Sequence, residues 1–213
     1  MLEMILTIMA IISAGLHIRA EYKGPQRNIY IFKPLTMVFI LAIAILGHNV
    51  SPFYKYMIII GLIFSLAGDI FLMLPSDRFV AGLVAFLIAH LFYIAAFTSE
   101  IDVISWWPLI PLMIYGIVVY SILAPFLGKL KLPVTAYVAV IMIMTWTAWE
   151  PWSRMEGKGA LLASLGAVLF VISDTILALN RFKGAFKPAR FFNLTTYFSA
   201  QWLIAFSIGG FCR

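Results

Sequence analysis

Apolar residues run through this chain in long unbroken stretches, not in alternation. Eight such stretches can be drawn, at about residues 4–19, 34–50, 54–73, 80–98, 106–127, 132–149, 159–180 and 191–211. Most reach the roughly 17–25 residues that an α-helix needs to cross a bilayer, whereas the strands of a membrane barrel read as alternating segments of about ten. The pattern predicts an all-α integral membrane helical bundle of about eight transmembrane helices. Short connections separate the stretches, marked by Gly24-Pro25, Ser51-Pro52, Pro75-Ser76, Gly128 before Pro133, Pro151, Gly157 with Gly159, and Gly184 with Pro188. None is long enough to be a linker, so residues 1–213 read as a single transmembrane domain. The first stretch is short, but its first charge is Glu3 and no small-residue cleavage site precedes Arg19. It therefore reads as a retained span and not as a secretory signal.

Composition agrees with this reading and excludes a soluble domain. The chain is 63% hydrophobic and 11% charged, with a mean hydropathy of +1.02, whereas soluble domains are about half apolar and about a quarter charged. The net charge of +6 would suit nucleic acid only if it formed a basic face. Here the charges fall in short connections, so nucleic acid is excluded as a partner.

The placement of the charges instead carries topology. With the N-terminus outside, the cytoplasmic side receives Arg19, Lys23, Arg27, Lys33, Arg78, Lys129, Lys131, Arg181, Lys183, Lys187 and Arg190. The other side receives Lys55, Arg154, Lys158 and Arg213, which completes the 15 basic residues. The positive-inside rule then places both termini on the non-cytoplasmic side, in the inner or plasma membrane if the source is bacterial. The lone cysteine, Cys212, forms no internal disulfide. Trp106, Trp107, Trp146, Trp149 and Trp152 read as an interfacial aromatic belt at the outer side.

Seven of the nine acidic residues lie in connections or at ends, and Asp69 and Asp174 do not. An Asp at the centre of a span costs about 2.5–3.5 kcal/mol on insertion scales, and such groups usually face the bundle interior and mark a functional site. Gly61, Ser65 and Asp69 recur every four residues, so a narrow stripe leads to that carboxylate. Both Asp lie a turn or two from the cytoplasmic end of parallel spans, which predicts similar depth. The matching Gly68-Asp69 and Ser173-Asp174 pairs, four spans apart, are compatible with a duplicated four-helix unit.

Other polar groups share this half of the membrane. Lys33 enters the second span, with Pro34 at its first helical position. Asn180 ends the seventh. Asn193, Tyr197 and Gln201 form one face of the eighth, and His90 and Tyr93 are neighbours on the fourth. Each has a bland reading: the Asp pair as interhelical glue, His90 as a satisfied core histidine, the tyrosines and the Asn193 to Gln201 face as packing, Lys33 as an anchor.

Lys33-Pro34-Leu35-Thr36, Gly68-Asp69-Ile70-Phe71-Leu72, Ala89-His90-Leu91-Phe92-Tyr93, Ser173-Asp174-Thr175-Ile176-Leu177-Ala178-Leu179-Asn180 and Tyr197-Phe198-Ser199-Ala200-Gln201 resemble, in order, the motifs of the lysoplasmalogenase family, also called YhhN-like. The resemblance spans about residues 30 to 203. It implies a membrane hydrolase that cleaves the vinyl-ether bond of a lysophospholipid substrate with a choline or ethanolamine head group, releasing a fatty aldehyde and a glycerophospho-base.

Vinyl ethers hydrolyse through protonation of the β-carbon to an oxocarbenium ion. Two carboxyl groups suit that chemistry, one as acid and one as ionised stabiliser and base, as in glycoside hydrolysis. Asp69 and Asp174 are the expected catalytic pair, their division of roles left open. His90 and Tyr93 are expected to orient water or the carboxylates. Lys33 is expected near the lipid phosphate, and Asn180, Tyr197 and Gln201 near the head group. The scheme includes no cofactor and no metal. A proton-coupled transporter using the same Asp pair is the competing class, but it should carry polar groups through both halves of the membrane. A non-catalytic membrane scaffold is a third.

Overall fold

The computed structural model describes residues 1–48, 51–101, 105–154 and 157–209, and the side chains of all of these except 150–154. Asp102, Glu156, Cys212 and Arg213 lie outside the described residues, as do the side chains of Glu150, Trp152 and Arg154. Among the described residues the chain is an all-α bundle of eight α-helices: α1 Leu2–Lys23, α2 Gln26–Leu46, α3 Pro52–Met73, α4 Phe79–Thr98, α5 Leu109–Leu123, α6 Lys131–Arg154, α7 Lys158–Ala178 and α8 Ala189–Ser207. Among the described residues seven helical segments are long and apolar enough to cross a membrane, the fifth counted with its continuation to Phe126. The exception is α8, 19 residues long, whose hydropathy is lowered by polar residues that include Asn193, Tyr197 and Gln201.

Cross-connection bonds establish the up-and-down order. At one end Tyr22 donates to the Lys187 carbonyl at 3.0 Å, Arg190 pairs with Glu21 at 3.1 Å, and Arg181 pairs with Asp77. The α1–α2, α3–α4 and α7–α8 connections therefore meet there. The α5–α6 connection joins them, since Leu127 and Leu130 pack with Leu179 and Phe182. At the other end Ser51 bonds Glu100 at 3.2 Å, Lys55 Nζ donates to the Ile45 and Gly47 carbonyls, and the Trp146 indole donates to Ser105 at 2.9 Å. Trp106, exposed, stacks on Trp146. The first end holds most of the Lys and Arg and is called the basic end below.

Helix limits follow local chemistry. Ser51 caps α3, accepting from the Tyr54 N–H at 3.3 Å with Pro52 at the first turn, where a proline lacks nothing a helix needs. The end of α7 widens into a π-turn over Leu179–Lys183. It closes with Gly184 N–H donating to the Leu179 carbonyl, at φ +148°, a backbone state that favours glycine.

The start of α2 corrects the sequence expectation. The helix begins at Gln26, so Pro34 lies inside it and not at its first position. An interior proline removes the N–H that would reach the Tyr30 carbonyl. The same level carries a polar seam to α1: Thr36 donates to Ser13 at 2.9 Å, and Ser13 to the Phe32 carbonyl at 3.1 Å. Lys33 consequently sits within a helix, two turns in from its start.

Small residues on α3 admit α4. A Cβ built on Gly61 would lie 2.3 Å from the Tyr93 ring, and one on Gly68 would lie 2.7 Å from Phe86. Close approach through small residues is the usual basis of helix packing where no water drives association. Gly61→Val is expected to overpack this seam and lower stability by about 1–3 kcal/mol. Thermal unfolding of the purified protein in detergent checks it, and an unchanged midpoint would contradict the seam.

Candidate functional site

A polar cavity of about 490 Å³ opens at the basic end. It forms where α2, α3, α7 and α8 converge, with Glu21 of α1 at its edge. Asp69, Asp174, Lys33, Tyr197, Asn180 and Asn193, six of the residues singled out from sequence, line it. A smaller and mostly apolar hollow of about 70 Å³ lies beside it among α3 to α7. Leu72, Phe86, Asp174 and Leu177 line both spaces, so the Asp174 carboxylate stands where polar and apolar compartments meet.

Asp69 is buried on the α3 face toward α2 and α8. Its Oδ1 lies 3.1 Å from Lys33 Nζ, and its Oδ2 accepts from the Tyr197 hydroxyl at 2.7 Å. A charge in low dielectric persists only with a counter-charge and hydrogen bonds, and Asp69 has both. Tyr197 is held by edge-on contacts with Phe86 and Phe170 at 5.9 and 5.6 Å. Lys33 therefore faces the carboxylate, where the sequence reading had aimed it at a phosphate.

Asp174 is less enclosed and lacks a cationic partner among the described residues. Its Oδ2 accepts a short hydrogen bond from the Tyr137 hydroxyl of α6. Beside it, Asn193 Nδ2 donates to the Ser173 carbonyl at 2.9 Å and Ser173 Oγ to the Asn193 carbonyl at 3.2 Å. These bonds clamp α7 to α8 at the depth of the site. Both carboxylates accept from a phenol and line the cavity, but they differ: Asp69 is ion-paired with Lys33, and Asp174 also borders the apolar hollow. Among the described residues no three His, Cys, Asp or Glu side chains group as metal donors.

The remaining expected residues stand behind the cavity. Tyr93 donates to Gln201 Oε1 at 2.8 Å and lies 3.3 Å from Ser65 Oγ. Gln201 is fully buried and does not line the cavity, so it is not placed to touch a head group. His90 is also fully buried, packed edge-on to Phe170 at 4.7 Å and Tyr137 at 5.2 Å. Neither of its nitrogens has a hydrogen-bond partner among the described residues, so it does not reach either carboxylate. Asn180 Oδ1 accepts from the Phe186 N–H at 3.2 Å and shapes the α7–α8 turn.

Three site residues were not anticipated as such. Tyr137 carries no sequence signal beyond being a phenol inside a span. Arg181 and Arg190 line the cavity mouth and were read only as topology charges. Their spacing was informative, since Arg181 follows Asp174 by seven residues and Arg190 precedes Tyr197 by seven, which keeps each on the face of its site partner. Arg181 donates to Asp77 and lies 5.0 Å over the Phe79 ring. That bond holds the exposed Asp77 carboxyl below its ordinary pKa.

The YhhN family model matches residues 28–208. The chain is 29% identical over 198 residues to the Uncharacterized membrane protein YhhN of Escherichia coli O6:H1, covering 92% of this chain and 95% of that protein. It is 33% identical over 180 residues to Lysoplasmalogenase TMEM86A of Homo sapiens, covering 80% and 74%. It is 35% identical over 157 residues to Lysoplasmalogenase TMEM86B of Homo sapiens, covering 69% and 61%. No solved structure matches the chain.

Removing one member of a buried ion pair strands the other. Lys33→Met is expected to destabilise the protein by about 3 kcal/mol, and Asp69→Asn added to it is expected to recover most of that loss. A double-mutant cycle on unfolding midpoints checks the coupling; additive effects would show that the pair is not coupled.

Proposed function

The chain belongs to the YhhN family, and from that premise we propose that it is a membrane hydrolase cleaving the vinyl-ether bond of lysoplasmalogens. The observation that carries this reading is Asp174, standing between a polar cavity and an apolar hollow. A lysoplasmalogen is polar at one end of its enol ether and apolar at the other. Its glycerophospho part suits the cavity and the first carbons of its alkenyl chain the hollow, which sets the reacting carbons beside Asp174.

The unequal carboxylates suggest the division of labour. Asp69, held ionised by Lys33 and Tyr197, stabilises positive charge and receives a proton from water. Asp174, without a cation beside it, carries the proton, and Tyr137 fixes its orientation. Asp174 protonates the β-carbon, and the double-bond electrons leave an oxocarbenium ion at the ether carbon. Water adds there as Asp69 takes its proton, giving a hemiacetal. In the collapse the carbon–oxygen bond to the glycerol breaks as Asp69 gives its proton to the leaving oxygen and Asp174 takes the hemiacetal hydroxyl proton, yielding one aldehyde and one alcohol for one water consumed and restoring both carboxyl groups. Such acid–base help is worth about 10²–10⁴-fold.

The packing also speaks against a transmembrane relay. Among the described residues, the fully enclosed Ile58, Phe97 and Ile204 lie toward the buried pair Tyr54 and Ser207, 2.6 Å apart, and no hydrogen bond joins that pair to Tyr93 and Gln201. By the charge distribution the basic end and its cavity face the cytoplasm, and both termini lie on the opposite side.

Purified protein in detergent is expected to release aldehyde from an alkenyl-lysophosphocholine or alkenyl-lysophosphoethanolamine. Asp69→Asn and Asp174→Asn, each folded, are expected to lower the rate at least about 100-fold. No release by folded wild-type protein, or undiminished release by both variants, would overturn the reading.

A further inference from the structure

The hydrolase reading leaves the head group without a binding partner, because Lys33 is paired with Asp69. The cavity mouth carries the remaining cations. Arg181 follows α7, and Arg190 sits in the first turn of α8, so the two guanidinium groups approach from antiparallel helices across the same opening. Arg181 lies two turns toward the basic end from Asp174, and Arg190 two turns from Tyr197, about 10 Å along each axis. Both line the cavity that Asp174 also lines, on the side where the third carbon of a glycerol would carry its phosphate when the first carbon's ether is at Asp174.

Each guanidinium is oriented but not saturated. Arg190 uses Nη1 on Glu21, at 3.1 Å to Oε2 and 3.3 Å to the carbonyl. Arg181 uses Nη2 on Asp77 and rests on the Phe79 ring. These are the only bonds of the two groups among the described residues, which leaves several of the five N–H donors of each for an anion. A planar fork of donors held in place is the arrangement that recognises phosphate with two bonds at once.

We propose that Arg181 and Arg190 form a clamp for the phosphodiester of the lysophospholipid, a site that rests on the hydrolase reading and supplies its head-group recognition. Glu21 and Asp77 act as positioning residues, holding the two forks open toward the cavity. The clamp selects a phosphorylated lipid over its neutral alkenylglycerol and does not read the base beyond the phosphate.

The test uses the full chain in a phosphate-free nonionic detergent, with Arg181→Gln, Arg190→Gln and the double variant. Two readouts separate the clamp from the chemistry. The first is the kcat/KM ratio of alkenyl-lysophosphocholine over 1-alkenylglycerol. Each single change is expected to lower this ratio about tenfold, through KM, and the double change about 100-fold. The second is the Kd of a saturated alkyl-ether lysophosphocholine, which binds without reacting and is expected to weaken by the same factors. Arg→Lys at both positions, which keeps charge and loses the fork, is expected to fall between. An unchanged ratio and Kd in the double variant, or no binding of the alkyl ether by wild type, overturns the clamp. Arginine-dependent binding without aldehyde release from either substrate upholds the clamp and overturns the hydrolase reading instead.

Discussion

A carboxylate inside a bilayer persists only if something compensates its charge, and the Lys33–Asp69 pair is that compensation. Lys33 comes from α2, Asp69 from α3, and the phenol that completes the site from α8. The ion pair and the phenol bond together tie three helices at a single depth. Its position depends on α2 starting at Gln26, which carries Lys33 into the bundle along a helix interrupted by Pro34. The small face of α3 and the bonds between Ser173 and Asn193 bring α4 and α7 to the same level. With α6 supplying Tyr137, the cavity is the place where these constraints meet.

The pair also breaks the symmetry between the two aspartates. Similar sequence contexts and similar depth make Asp69 and Asp174 look interchangeable, and each accepts from a phenol, yet their surroundings differ. Asp69 has a cation and does not border the apolar hollow; Asp174 has no cation beside it among the described residues and borders both spaces. On the proposed reading, unequal surroundings let two identical side chains serve as base and acid. The lipid supplies the remaining order, because its own polar and apolar halves match the two compartments.

Much of this was legible in the sequence. Long apolar runs give helices, and the basic residues give the end to which each connection belongs; both follow from the cost of exposing polar groups to lipid. Asp69 and Asp174 stand out because an acid in a span needs a reason. What the pattern hides is pairing. Pro34 reads as a helix start because proline is common there, and only the span of α2 from Gln26 shows that the helix runs through it. Gln201 and Tyr93 share a helical face with site residues but lie deeper, bonded to each other. Tyr137 sits in a span whose sequence is otherwise unmarked. Arg181 and Arg190 resemble any other charges that anchor helix ends until their seven-residue spacing from Asp174 and Tyr197 is set beside a cavity.

The central claim is that a carboxyl group delivers a proton to carbon in the slow step, and the solvent isotope effect tests it most directly. Hydrolysis of an alkenyl-lysophosphocholine at saturating substrate, on the plateau of the pH–rate profile, is expected to run slower in D₂O than in H₂O. Equal rates in the two solvents would contradict proton transfer to carbon as the slow step and, with it, the role assigned to Asp174.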